Sequence, residues 1–340
     1  MEKKENDKDI KEKELLNKLS SLEKKIIDFL NIKLKVNITG KETNLELCNK
    51  KIGNCELMLL TGIQFDSLEY INLSNNQISD IHLLKDFNLK KLQSINLSFN
   101  KLNNLNQKKK LDLSFYRVNE IQYNNNINNY SINLDNNGLI EKDIKEIKDI
   151  IFNEDYLCYN NNENYQNEII NRINKLEKKI LGYFNNKLNI NLTGNEIKID
   201  LNNKNIGNNE LNLLTGVEFK NLEEINLSHN NISDVEILQY FNNLKTIDLS
   251  YNKINTIIPL KKMLMDNLFP HIIEINLDHN NLIKKDIEEI IRLIKNKNIL
   301  IKMVILYDIK NRNDKIRIFG KQFVSENKNI CKMIIDGKRN

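Results

Sequence analysis

The residues able to do chemistry are few and poorly placed for catalysis. Cys48, Cys55, Cys158 and Cys331 form no C-x-x-C pair, and no histidine stands near them to complete a zinc set. The histidines are His82, His229, His271 and His279. His229 and His279 occupy the same slot of two related segments, and Tyr251 fills that slot in the segment between. Two strand spacings put their backbones about 10 Å apart, too far for easy shared metal ligation. Carboxylates abound, but no pair is tied to a pocket by spacing. There is no G-x-S-x-G, Walker loop or H-E-x-x-H. The reading is therefore of a non-enzyme without cofactor or metal. What recurs instead is amide chemistry. Asn76, Asn100, Asn137, Asn230, Asn252 and Asn280 each stand three positions after a leucine. A carboxamide there can pair backbone groups that a turn leaves open, and stacked copies can form a ladder.

The elements that position these amides follow from a repeated phrase, apolar-x-apolar-x-x-Asn-x-apolar. It begins at Ile71, Ile95, Ile132, Ile225, Ile247 and Ile275. Two apolar residues two apart share one face of a strand, and the polar residues between them face the other way. A single unit cannot bury its apolar face, so copies must stack. Ile71 to Ile95 is 24 residues, Ile225 to Ile247 is 22, Ile247 to Ile275 is 28, and Ile95 to Ile132 is 37. The longest step contains Leu111-Asp112-Leu113-Ser114, with Tyr116 where the asparagine should be. It reads as a degenerate or looped-out repeat.

The phrase resembles the leucine-rich repeat. The resemblance implies an α/β solenoid of the L domain-like kind, with parallel strands on a concave face and helical caps. The continuation from Asn76 to Leu84, Asn-x-Ile-Ser-Asp-x-x-x-Leu, is similar to the 22-residue repeats of phosphatase regulators and bacterial internalins.

A longer period lies over the short one. Thr39-Gly40 matches Thr193-Gly194 and Leu60-Thr61-Gly62 matches Leu214-Thr215-Gly216, both at an offset of 154. Leu15, Leu19, Leu22 and Ile26 correspond to Ile169, Ile173, Leu176 and Ile180, one apolar helix face in each copy. Leu139 to Ile151 resembles Leu282 to Ile294, again amphipathic. A solenoid needs caps at both ends, and here the caps are duplicated with the repeats. The expected organisation is a disordered charged segment over 1–14 and a first capped module over 15–152. A linker over 153–165, a second capped module over 166–298, and a terminal strand with a basic β tail over 299–340 follow. One continuous solenoid with an inserted helix is the alternative.

The 340 residues carry a net charge of +5. From Ile301 to Asn340 ten lysines or arginines face four acids, which leaves the rest near neutral. Those charges alternate with Ile and Phe as on a solvated sheet, so nucleic acid is a disfavoured partner. Lys315 to Val324 and Cys331 to Lys338 read as strands, with a turn signal at Asp336-Gly337. This tail weakly resembles a β module adjoining BspA-like arrays. No secretory signal and no long apolar run is visible, and the cytoplasm is the expected location. Sequons at Asn72 and Asn226 would put glycans on the concave strands, which favours the same location.

In the family that the repeats resemble, partners bind the concave sheet. By register the outward candidates are Glu69, Tyr70, Asn72 and Phe99 in the first module. In the second they are Asp200, Glu224, Asn226, His229, Asp248, Tyr251, Glu274 and Asp278. The second set is acidic, which favours a basic protein partner. The aromatic residues are of the types enriched at binding hot spots. The expected function is a protein-interaction scaffold. The alternatives are a regulatory or substrate-recognition subunit associated with a phosphatase or ligase, or an internalin-like surface adhesin. The sequence sets no oligomeric state.

Overall fold

Each repeat contributes a strand of only three residues, because the apolar-x-apolar phrase turns away directly after it. A computed structural model of the chain describes residues 2–87, 91–102, 131–137, 139, 165–266, 268–282, 304–305 and 317–319. The chain divides into two compact units, Met1–Ile190 and Asn191–Asn340.

In the first unit β1 (Asn44–Glu46), β2 (Tyr70–Asn72), β3 (Ser94–Asn96) and β4 (Ser131–Asn133) form one parallel sheet in chain order. The register puts Leu45 beside Ile71, Ile71 beside Ile95, and Ile95 beside Ile132. The leucines that follow, Leu47, Leu73 and Leu97, are fully buried. β3 bonds directly to β4, so no strand stands between them. The candidate repeat at Leu111 lies outside the described residues.

The second unit repeats the plan with β5 (Lys198–Asp200), β6 (Glu224–Asn226), β7 (Thr246–Asp248) and β8 (Glu274–Asn276), again parallel and in register through Ile199, Ile225, Ile247 and Ile275. Its sheet then changes direction. β9 (Val304–Ile305) and β10 (Arg317–Phe319) pair antiparallel with each other, and β10 pairs antiparallel with β8. A strand of the tail thus occupies the edge that the last repeat would leave open, where unpaired backbone groups invite association. The turn expected at Asp336-Gly337 and most of the two segments expected to form exit helices lie outside the described residues.

The helices explain the longer period. α1 (Glu2–Leu34) buries Leu19, Leu22 and Ile26 of the apolar face read from the sequence, leaves Leu15 half-buried, and adds Phe29 and Leu30 to the buried set. It is helical from Glu2, where the charge density had pointed to disorder up to residue 14. Acids placed four residues before bases, as Asp9 before Lys13, support such a start. α2 (Asn54–Leu60) begins where the Gly53 N–H donates to Glu56 Oε2 at 3.0 Å. This carboxylate reaching back is one half of a capping box. The second copy repeats it at 3.1 Å between Gly207 and Glu210, ahead of α4 (Asn208–Leu214). The Thr-Gly pairs open a turn closed by a carboxylate. Glu196 accepts from the Thr193 N–H, the Thr193 hydroxyl and the Gly194 N–H at 2.6, 2.8 and 2.9 Å. Gly194 has φ of +91°, which a glycine adopts without strain. Burial alone would raise the Glu196 pKa, but these bonds outweigh it and hold the carboxyl below its ordinary range.

α3 (Tyr165–Leu188) belongs to the first compact unit, although by sequence it opens the second copy. It packs on α1 and α2. A Cβ added at Gly182 would lie 2.7 Å from Met58 Sδ, so glycine permits the approach. In the first copy the matching position is Asp28. Polar contacts fix the docking. Arg172 bonds Gln64 and Glu23. Lys33 Nζ bonds the Tyr183 hydroxyl at 2.6 Å and lies 3.3 Å from Glu56. Lys179, 5% exposed, donates to Thr61 Oγ1 at 2.8 Å and to Asp86 Oδ2 at 2.7 Å. Burial lowers the Lys179 pKa, which Asp86 partly restores. Burial raises Asp86, but Lys179 and then Lys175 outweigh it and hold its carboxyl below the usual range.

Candidate interaction surface

The repeat phrase generates four kinds of position around each strand, and the structure gives each a different job. The asparagine three positions after the leucine is internal. Asn230 Oδ1 accepts from the Lys204 and Ile206 N–H groups at 3.2 and 2.9 Å. Its Nδ2 donates to the carbonyls of Leu201, Leu227 and Ser228. Asn76, Asn100, Asn137 and Asn252 are buried in the same arrangement, and Asn280 is half-buried in it. Each carboxamide joins its own turn to the preceding repeat.

The two outward positions of each strand form rows across the sheet. In the second module the first row is Lys198, Glu224, Thr246 and Glu274, and the second is Asp200, Asn226, Asp248 and Asn276. The second row holds only Asn and Asp, and hydrogen bonding explains it. Asp248 Oδ1 accepts from the Ser250 N–H at 2.9 Å and the Ser250 hydroxyl at 2.6 Å. Asn226 does the same with Ser228, and Asn72 with Ser74. Asp200 and Asn276 accept the matching backbone N–H from Asn202 and Asp278. These side chains, read from sequence as free outward residues, close the turn after their strand. The recurring Asx-x-Ser spacing was the available signal.

A further correction concerns charge. Asp278, expected in the outward acidic set, is 6% exposed. It fills the inward slot held by Ser74, Ser98, Ser228 and Ser250 in other repeats. Strand alternation cannot be carried into the turn that follows it. Glu224 lies 2.8 Å from Lys198, its cross-strand neighbour at the margin of the rows. Glu224 raises the Lys198 pKa through the hydrogen bond and its charge. Asp200 is exposed, and Glu224, Asp248 and Glu274 are half-buried on the same side. The first module differs. Its rows are Asn44, Tyr70, Ser94 and Ser131, then Glu46, Asn72, Asn96 and Asn133. Glu46 is their one acid, and Asn72 Nδ2 donates to it at 2.8 Å. Glu69, exposed, precedes the strand rather than facing out of it. Tyr70 is half-buried, and burial together with Glu46 and Cys48 raises its pKa, which keeps the hydroxyl a donor.

The fourth position, four residues after the first apolar residue of the phrase, has left-handed backbone in every described repeat. Asn49, Asn75, Asn136 and Asn203 have φ of 58°, 55°, 57° and 53°. Asparagine tolerates that region, whereas bulky residues rarely enter it. Yet Phe99, His229, Tyr251 and His279 sit there at 55°, 55°, 54° and 56°. His229, Tyr251 and His279 stack, with ring centroids 4.1 Å apart in both pairs and planes inclined by 10° and 18°. Sequence reasoning placed these residues in one slot but not in ring contact. Phe99 is 57% and Tyr251 46% exposed. Tyr251→Asn is expected to change stability by less than about 1 kcal/mol, because relief of the left-handed backbone offsets the lost stacking. Tyr251→Val, β-branched at the same φ, is expected to cost about 2 kcal/mol more. Denaturant midpoints of the two variants decide this.

Among the described residues no cluster of His, Cys, Asp or Glu is arranged to hold a metal ion, and no helix is long and apolar enough to cross a membrane.

Comparison with known proteins agrees with the repeat geometry. Family models for leucine-rich repeats match residues 67–87 as one repeat and 220–262 as two copies. The matches fall in both modules, and with the stacked parallel strands they show leucine-rich repeats in each. Among solved structures, an internalin C2 from Listeria monocytogenes is similar at 16% identity and a TM-score of 0.22, covering 76% of this chain and 75% of that one. An internalin (inlF) from the same organism is similar at 16% identity and a TM-score of 0.20, covering 76% of this chain and 63% of that one, less than two thirds of its length. No curated protein matches the chain.

Proposed function

We infer that the chain is a non-enzymatic interaction scaffold that captures a partner protein on the strand face of its second module, through a basic segment of that partner. The observation that carries the reading is the pair of outward rows across β5 to β8, which hold Asp200, Glu224, Asp248 and Glu274 and, within those four strands, one base, Lys198. The stacked ridge His229–Tyr251–His279 follows these strands directly. Carboxylates on one face raise the encounter rate with cationic segments, and aromatic side chains supply contact area at little entropic cost.

Carboxyl labelling tests the reading. With a captured partner present, Asp200, Glu224 and Glu274 are expected to lose reactivity, while Asp66 and Glu168, outside these rows, keep theirs. Capture is also expected to weaken as salt rises, because exposed charges are screened beyond about 8 Å at physiological ionic strength. Unchanged labelling of the rows on binding removes the strand face as the site.

A further inference from the structure

We propose that the ridge His229–Tyr251–His279 is an arginine-reading subsite for the basic partner segment; the proposal rests on the strand-face reading above. The slot is one that the backbone reserves for asparagine, as at Asn49, Asn75, Asn136 and Asn203. Three consecutive rings in it are a departure that the repeat geometry does not call for. Both faces of Tyr251 are covered by imidazoles at 4.1 Å. The ridge therefore offers its partner the ring rims and the outer faces of its terminal rings. Toward β5 the next slot holds Asn203, an exposed amide, so among the described residues no ring stacks on that side of His229. A planar group can extend the stack there.

The adjacent carboxylates fix the sign of that group. Asp200 ends β5 and Asp248 ends β7, the strands on either side of the one that leads into His229, whereas Glu224 opens its strand and is paired with Lys198. An arginine guanidinium is planar, stacks on aromatic rings and pairs with carboxylates, whereas a lysine ammonium pairs but does not stack. A ring stack beside carboxylates therefore distinguishes two cations that charge alone treats alike. In the first module Phe99 stands between Asn75 and Asn136 in the same slots, and Glu46 is the one acid of the rows. That module has a single ring and a single acid, and so neither a ring stack nor a row of carboxylates.

The test measures binding of an oligoarginine and an oligolysine peptide of equal length to the full chain. The same titrations are run on a variant carrying His229→Asn, Tyr251→Asn and His279→Asn. Asparagine is native to this slot, so the variant retains the backbone. The unaltered chain is expected to bind oligoarginine about threefold or more tighter than oligolysine, and the variant is expected to bind both equally. A chain without preference, or a variant that keeps it, overturns the subsite. Equal binding of both peptides that disappears on Glu224→Lys with Glu274→Lys overturns the subsite and leaves the acidic strand face standing. Failure of both peptides to bind overturns both readings.

Discussion

Asn230→Ala is expected to lower the stability of the second unit by about 3–4 kcal/mol, against less than about 1 kcal/mol for Asn231→Ala. The two residues are neighbours of identical chemistry, so the contrast isolates position. Asn230 is 6% exposed and serves five backbone groups from two repeats. Alanine would leave buried N–H and C=O groups unpaired, and each costs about 1–3 kcal/mol when water cannot replace the lost partner. Asn231 gives its side chain to Asn205 Oδ1 in an exposed bond at 2.7 Å, which water replaces readily. Urea unfolding followed by circular dichroism separates the cases. Equal midpoints would contradict the assignment of Asn230 to the interior.

Asp86→Ala is expected to destabilise the first unit by about 2–3 kcal/mol, while Lys179→Met is expected to cost less than about 1 kcal/mol. The asymmetry follows from burial. Lys179 is almost wholly enclosed, whereas the Asp86 side chain is 46% exposed. Removing the acid strands an ammonium that keeps only Thr61, while removing the lysine leaves an acid that water and Lys175 still serve. The pH dependence has a defined sign. The folded-state pKa of Asp86 is depressed, so its contribution is present above its unfolded value near about 4 and is lost as pH falls through the folded value. The unaltered chain is therefore expected to lose more stability on acidification than Asp86→Asn does. Equal acid sensitivity would remove Asp86 as the anchor of α3.

The parts legible in the sequence were those written in a period. Ile71, Ile95, Ile225 and Ile247 announced strands by their two-residue spacing to leucine, and the asparagine after each announced the ladder. The match of Ile169, Ile173, Leu176 and Ile180 to α1 announced a second helix. What that helix packs against was not legible. Gly182 opposite Met58, and Lys179 with Asp86, join residues far apart in sequence without a recurring pattern. The outward asparagines and aspartates were half legible. Their direction follows from strand alternation, but their bonds depend on the turn beyond the strand. The same turn buries Asp278 and puts Tyr251 in left-handed backbone, conformations that alternation does not describe. The ring stack needs the register of three repeats with 22- and 28-residue steps, which only the folded sheet brings level.

Charge reversal on the strand face tests the central claim most directly, provided that the turn-closing acids are treated apart. Asp248 and Asp200 hold backbone N–H groups, so lysine there would open the turn as well as change the charge. Asparagine, native at 226 and 276 in the same row, keeps those bonds. The informative variant therefore combines Glu224→Lys and Glu274→Lys with Asp200→Asn and Asp248→Asn. Partner capture by this variant is measured beside its denaturant midpoint. The expected result is a midpoint within about 1 kcal/mol of the unaltered chain and loss of capture at physiological salt. Capture of the same partner by the folded variant would contradict the assignment of the second module's strand face as the binding surface.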